Sequence, residues 1–291
     1  MTTATQELSS GRMAVAWRHV KGDRRALSAV LLTLGILGVA IFAPILATYD
    51  PVALDIQSRH LPPSLEHFFG TDRLGMDVYS RVVWASRVDL FIAISSVLLS
   101  IIIGLPTGVL VGYLGGRTDG FVMRAFDVLQ AFPVLVLAIA VLATLGRGAV
   151  NIVIVVGLIG VPTYVRLART QVRSMRESSY VEAARSVGNP TPRLVTRYLV
   201  PGTLGTTAVQ AATSCGWALI LTAGLGFLGL GVPVPQPEWG RMVFTGAEDI
   251  VSGQWWTSFF PGMAIVVTVF AFNQLGEVLA DAVDPRRRKA R

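Results

Sequence analysis

A single cysteine, Cys215, stands in the 291-residue sequence, so no intrachain disulfide can form and oxidative folding is not needed. It sits inside an apolar run and reads as buried filler. The three histidines, His19, His60 and His67, have no cysteine partners and lack a zinc-ligand spacing, so no metal site is expected. No G-x-x-x-x-G-K-[ST] sequence occurs, and the chain by itself therefore lacks the usual phosphate-binding loop for ATP. Charge is scarce too. Asp, Glu, Lys and Arg make up 15% of the residues, where a water-soluble domain carries about a quarter. That deficit argues against a cytosolic or secreted globular protein, and the same figures exclude disorder, a collagen-like fibre and a coiled coil.

What is abundant is apolar surface: 52% hydrophobic residues and a mean hydropathy of +0.58. Crossing a bilayer takes about 20 mostly apolar residues, and six stretches qualify. They run approximately from Ala26 to Ala47, Leu90 to Leu114, Val128 to Gly146, Val150 to Ala168, Leu204 to Gly229 and Thr257 to Leu279. The first is too long, and its sequel too unlike a cleavage site, for a removable signal peptide, so it is read as an anchor. The expected fold class is an all-α integral membrane protein with six transmembrane helices.

The net charge of +7 does not point to nucleic acid once the placement of the charges is considered. With both termini on the cytoplasmic side, 19 of the 25 basic residues fall in cytoplasmic segments, as the retention of Lys and Arg on that side requires. Trp239, Trp255 and Trp256 then lie where an outer aromatic belt would sit. Residues 1–25 read either as an interfacial helix, with Met13, Val15, Trp17 and Val20 on its apolar side, or as a disordered basic tail. Residues 48–89 form an outer loop long enough to fold over the outer mouth, and 286–291 form a basic tail.

The richest local pattern lies in the loop 169–202. Ser179 followed by Glu182 fits a capping box and starts a helix near Tyr180. Tyr180, Ala183, Ala184 and Val187 fall at i, i+3, i+4 and i+7, one narrow apolar stripe, with Glu182 and Arg185 directed elsewhere. Gly188 is suited to the left-handed turn that closes the helix, and Pro190 prevents its continuation. Thr191 and Pro192 start a second short helix that is expected to stop before Pro201. The stripe must bury against something, either membrane helices of the same chain or a groove on a soluble partner.

At this loop the sequence resembles the membrane permeases of binding-protein-dependent ABC importers. Their hallmark is an EAA sequence, a glycine shortly after, then an apolar residue and a proline, matched here by Glu182-Ala183-Ala184, Gly188, Leu199 and Pro201. Further segments resemble the oligopeptide and dipeptide permeases in particular. Phe69-Gly70-Thr71-Asp72 with Gly75, Asp77, Ser80 and Arg81 precedes the second span, and Asp119, Arg124, Asp127 and Ala131-Phe132-Pro133 enter the third. Phe227 to Gly231, Pro237 to Gly240, Trp255-Trp256, Pro261-Gly262, Phe272-Asn273, Leu275-Gly276 and Asp284-Pro285-Arg286 follow in order. Met76, Gln274, Glu277 and Gly202 depart from the pattern at single positions.

The resemblance implies a type I ABC importer permease fold over 26–285, with a cytoplasmic coupling helix. Tyr180, Glu182, Ala183, Ala184, Val187, Gly188, Leu199 and Pro201 would dock the ATPase. It also implies a second homologous permease as heterodimer partner, one or two cytoplasmic ATPase subunits that hold ATP and Mg, and an extracytoplasmic peptide-binding protein. This chain would bind no cofactor or nucleic acid. It would be multi-pass in the bacterial cytoplasmic membrane, importing oligopeptides or dipeptides by alternating access. Nickel chelates and glutathione are alternative cargoes.

Three other readings compete. A self-sufficient secondary transporter or channel would show charges near mid-membrane or broken helices, and only Pro106 and Pro162 offer breaks. An intramembrane enzyme needs a catalytic polar pair within a span, and none is apparent. Gly224, Gly226 and Gly229 fit G-x-G-x-x-G, but at the end of a membrane helix rather than in a βαβ unit. Gly104, Gly108 and Gly112 form a ridge for close helix packing, and Arg124 and Asp127 are spaced to pair with each other. Glu277 and Asp281 are expected to be solvated.

Overall fold

The computed structural model describes residues 24–283. The basic N-terminal segment, the Asp284-Pro285-Arg286 motif and the C-terminal tail thus lie outside the described residues. Among those described the chain is helical, with one isolated antiparallel bridge between Thr71 and Asp77. Helix α1 covers Arg24–Leu46, α2 Val78–Leu114, α3 Gly116–Gln130, α4 Val134–Leu145 and α5 Ala149–Arg176. Then come α6 Ser179–Ser186, α7 Thr191–Leu194, α8 Val200–Phe227, α9 Trp239–Ile250 and α10 Trp256–Val283. Five helical stretches are long and apolar enough to cross a membrane, and α3 with α4 makes a sixth if that bent pair is one span.

The third expected crossing, 128–146, is not a straight helix: α3 and α4 meet at 86°. Pro133 lacks an N–H and disfavours helical geometry at Phe132, which ends α3 at Gln130. With 12 residues, α4 extends only about 18 Å, short of a bilayer core of about 30 Å. Pro106 and Pro162, the only breaks the sequence offers the secondary-transporter reading, do not interrupt their helices, since α2 and α5 run through them. Between these two helices the Ser100 hydroxyl donates to the Gly157 carbonyl at 2.6 Å, tying α2 to α5.

Close packing of α2 on α5 organises the molecule. A Cβ on Gly104 would come 2.7 Å from Tyr164 Cβ, one on Gly108 2.8 Å from Ala168 Cβ, and one on Gly112 2.8 Å from the Arg169 carbonyl oxygen. The glycine ridge thus lets two backbones approach as close as side chains ordinarily do. By contrast α1 buries mainly small residues, Ala26, Ala29, Ala40 and Ala43 with Thr33, while Ile41 and Ile45 remain outward, 68% and 80% exposed. An outward apolar face suits lipid.

The segment between α1 and α2 is tied down on α10. The Phe69 and Phe260 rings stack at 3.9 Å, and Trp256 Nε1 donates to the Thr71 carbonyl at 3.1 Å. The aromatic-belt expectation is corrected here. Trp239 and Trp256 are buried, because their indole N–H groups find carbonyl partners inside, Trp239 on Val82 at 2.9 Å; Trp255 is half exposed.

The glycine-rich end of α8 also finds its reason. Cβ atoms on Gly226 and Gly231 would strike the Glu238 carboxylate, so these glycines make room for a buried acid. Glu238 caps α9, accepting from Gly240 N at 2.7 Å and Arg241 N at 3.0 Å. Burial pushes its carboxyl up to about 7, although both backbone donors and the Arg241 charge act the other way. A raised carboxyl favours the protonated form in the fold, so its stabilising effect is full below pH 4.5 and is lost as pH rises to about 7. Replacing Glu238 by Gln is therefore expected to flatten the fall in melting temperature across that window, measured as the difference between wild-type and variant profiles.

Candidate functional site: the elbow between α5 and α8

The elbow starts where α5 ends. Ser178, not Ser179, occupies the N-cap of α6, and its hydroxyl donates back to the Met175 carbonyl instead of capping. The expected capping box is thus replaced by a bond to the preceding helix. At the far end Gly188 adopts φ +82°, its N–H donating to the Arg185 carbonyl at 2.9 Å. A side chain there would meet open space, so the backbone turn alone demands glycine. Asn189 Nδ2 closes the end of α6 on the Ala184 carbonyl at 2.9 Å.

The expected four-residue stripe is divided by the structure. Val181 and Ala184 face inward and are buried; Tyr180, Ala183 and Val187 face outward, with Val187 83% exposed. Val181, which the stripe left out, joins Leu105, Val109, Val172 and Leu199 in a small apolar cluster. It was missed because a helix leaning on its neighbour at one edge buries neighbouring rows, while periodicity indicates only that some face is apolar. Of the motif positions, Glu182, Gly188 and Pro201 are exposed, while Ala184 and Leu199 are buried. The last two support the elbow from beneath.

The second helix does not stop before Pro201. Residues from Thr191 to Phe227 form one continuous helical stretch, with Val195–Leu199 wound as a π-turn. Val200 N bonds the Val195 carbonyl across that wider turn, so the proline follows where the ladder is already displaced. The elbow is consequently continuous with α8.

Polar contacts fix the elbow to the other helices. Arg176 Nη1 donates to the Tyr113 carbonyl at 3.0 Å, and the Tyr113 and Thr191 hydroxyls lie 3.2 Å apart. Asp119 of α3 holds Arg169 through both carboxylate oxygens and has Arg173 at 3.5 Å. Asp127 pairs with Arg166 of α5 at 2.6 Å, which corrects the expected pair with Arg124: the facing helix supplies a better-placed guanidinium than the same helix one turn away. Asp119→Asn is expected to weaken the hold of α3 on α5, with faster proteolysis within α3 in the purified protein and little change in yield.

A sequence profile described as the binding-protein-dependent transport system inner membrane component matches residues 104–289, which include the whole elbow. The chain belongs to that family. A second profile, the N-terminal TM domain of oligopeptide transport permease C, matches residues 11–63. The dipeptide transport system permease protein DppC of Bacillus subtilis is 35% identical over 94% of this chain and 86% of its own length. The probable D,D-dipeptide transport system permease protein DdpC of Escherichia coli is 40% identical over 94% and 91%. The glutathione transport system permease protein GsiD of Pectobacterium atrosepticum is 38% identical over 93% and 90%. The permease is thus a multi-pass inner-membrane subunit of an ABC importer and not itself an enzyme; such a subunit works with ATPase and binding-protein partners.

Proposed function

We propose that this permease imports short peptides by alternating access, driven by ATP hydrolysis in cytoplasmic partner subunits that bind the ATP and Mg. The observation that carries this reading is the divided face of α6: Val181 and Ala184 anchor the helix, while Tyr180, Ala183 and Val187 stand outward unburied. An outward apolar face on a short, braced helix suits a groove in a soluble partner. The distribution of Lys and Arg supports a cytoplasmic elbow and cytoplasmic termini. A second, homologous permease completes the pathway, and an extracytoplasmic binding protein delivers cargo. Peptide cargo is supported by relatives named for dipeptide transport and for glutathione, itself a tripeptide.

Gly188→Val tests the coupling role. A β-branched residue at φ +82° costs on the order of 1–3 kcal/mol, which would misdirect the turn while leaving the spans in place. Peptide uptake is expected to fall at least about tenfold, with membrane insertion unchanged. Unchanged uptake together with unchanged ATPase co-purification would remove the docking role.

A further inference from the structure

A cavity of about 400 Å³ opens where α3 breaks from α4, within the range of about 300–1,000 Å³ typical of small-ligand sites. Gln130, Phe132 and Val134 stand at its mouth, and α2, α5 and α8 form its walls. No Asp, Glu, Lys, Arg or His lines it; among aliphatic walls such as Val97, Leu137 and Ile159, its polar groups are hydroxyls and amides, and aromatic rings join them. Ser96 Oγ has no hydrogen-bond partner among the described residues, and Tyr164 Oη has only a loose contact with Ser214 that falls short of a well-formed bond, although the two residues are only 1% and 2% exposed.

We propose that this cavity holds a short peptide during its passage, with Ser96, Tyr164, Gln210 and Ser214 meeting the main-chain amides and Trp217 and Phe132 the side chains. The assignment rests on the reading of the protein as a peptide importer. A buried hydroxyl without a partner is rare in folded proteins and points to a group that arrives from outside. Backbone that leaves helical geometry at membrane depth is tolerated where it lines a cavity, and discontinuous helices mark substrate sites in other transporters. A lining without charge can pair donors and acceptors with any peptide main chain, yet offers no ion to trap a passing terminus. It also lacks the carboxylate, imidazole and thiolate donors that a bare metal ion would require. Gln210 Nε2 already reaches Ser214 Oγ at 3.2 Å, which holds the amide towards the space.

The test uses the complete importer, with partner permease, ATPases and binding protein, reconstituted in proteoliposomes with dialanine and trialanine as probes. Tyr164→Phe removes the weakly held hydroxyl and keeps the ring, so the fold should tolerate it; Thr163→Trp fills the exposed lip of the cavity. Both are expected to lower peptide uptake per ATP hydrolysed, by about threefold and at least about tenfold respectively, with the stimulation of hydrolysis by loaded binding protein retained. Uptake per ATP equal to wild type in both variants overturns the cavity assignment alone. So does loss of the partner permease from the purified Thr163→Trp complex, since the cavity would then be a subunit interface. A wild-type complex that takes up neither peptide overturns the cargo reading, and this assignment with it.

Discussion

Replacing Tyr180 and Val187 together by aspartate is expected to abolish co-purification of the ATPase and to reduce uptake below detection, while the permease still inserts and folds. Both side chains point away from the chain's own core, 49% and 83% exposed, so the substitutions cost the isolated permease little. In the complex each would place an unpaired carboxylate against an apolar groove. Such a charge costs about 2–5 kcal/mol at an interface, and about 3 kcal/mol is already more than a hundredfold in affinity. Val181→Asp is the informative contrast. It buries the charge within the permease itself, beside Val172 and Leu199, and should lower the melting temperature and yield before any partner is added. Equal binding by the double variant and the wild type in pull-down would place the ATPase elsewhere.

Gly108→Leu is expected to be the most destabilising single substitution along the glycine ridge. Its Cβ alone would come 2.9 Å from Val165 Cα and 2.8 Å from Ala168 Cβ, and neither can retreat without moving α5. Overpacking a well-fitted core costs about 1–3 kcal/mol, occasionally more, and here the obstacle is mainly backbone. The variant should lose its monodisperse peak in size-exclusion chromatography or melt many degrees lower. Gly35→Ala is the control, because nothing lies within 4 Å of the added carbon; replacing a mid-helix glycine there should be neutral or slightly stabilising. Similar melting of both variants would mean that the ridge is not what holds α2 against α5.

Much of this was legible in the sequence. The long apolar runs fall on α1, α2, α5, α8 and α10, although α2 already begins at Val78 and α5 continues to Arg176, since hydropathy registers only the apolar part of a helix. Gly188 showed the turn that closes α6, and the EAA segment showed the family. Less legible was the course of the third span. Its apolar stretch from Val128 to Gly146 passes any hydropathy test, but Pro133 decides the local geometry and hydropathy averages over it. The tryptophans misled for a related reason: a ring that suits an interface also suits a buried site when a carbonyl awaits its N–H, as Val82 and Thr71 do.

The sequence by itself determined that the chain is helical, that it threads a membrane, and that it carries an exposed helix–glycine–helix elbow, because hydrophobic length, charge placement and backbone preference are local properties. Only the tertiary structure decided which row of α6 turns outward, which arginine holds Asp127, and why Gly226 and Gly231 are small. Each of those depends on what a distant segment brings within a few ångströms, Leu105 and Leu199 beneath the elbow, Arg166 across from α3, Glu238 against the end of α8. Spacing along the chain carries no record of such meetings.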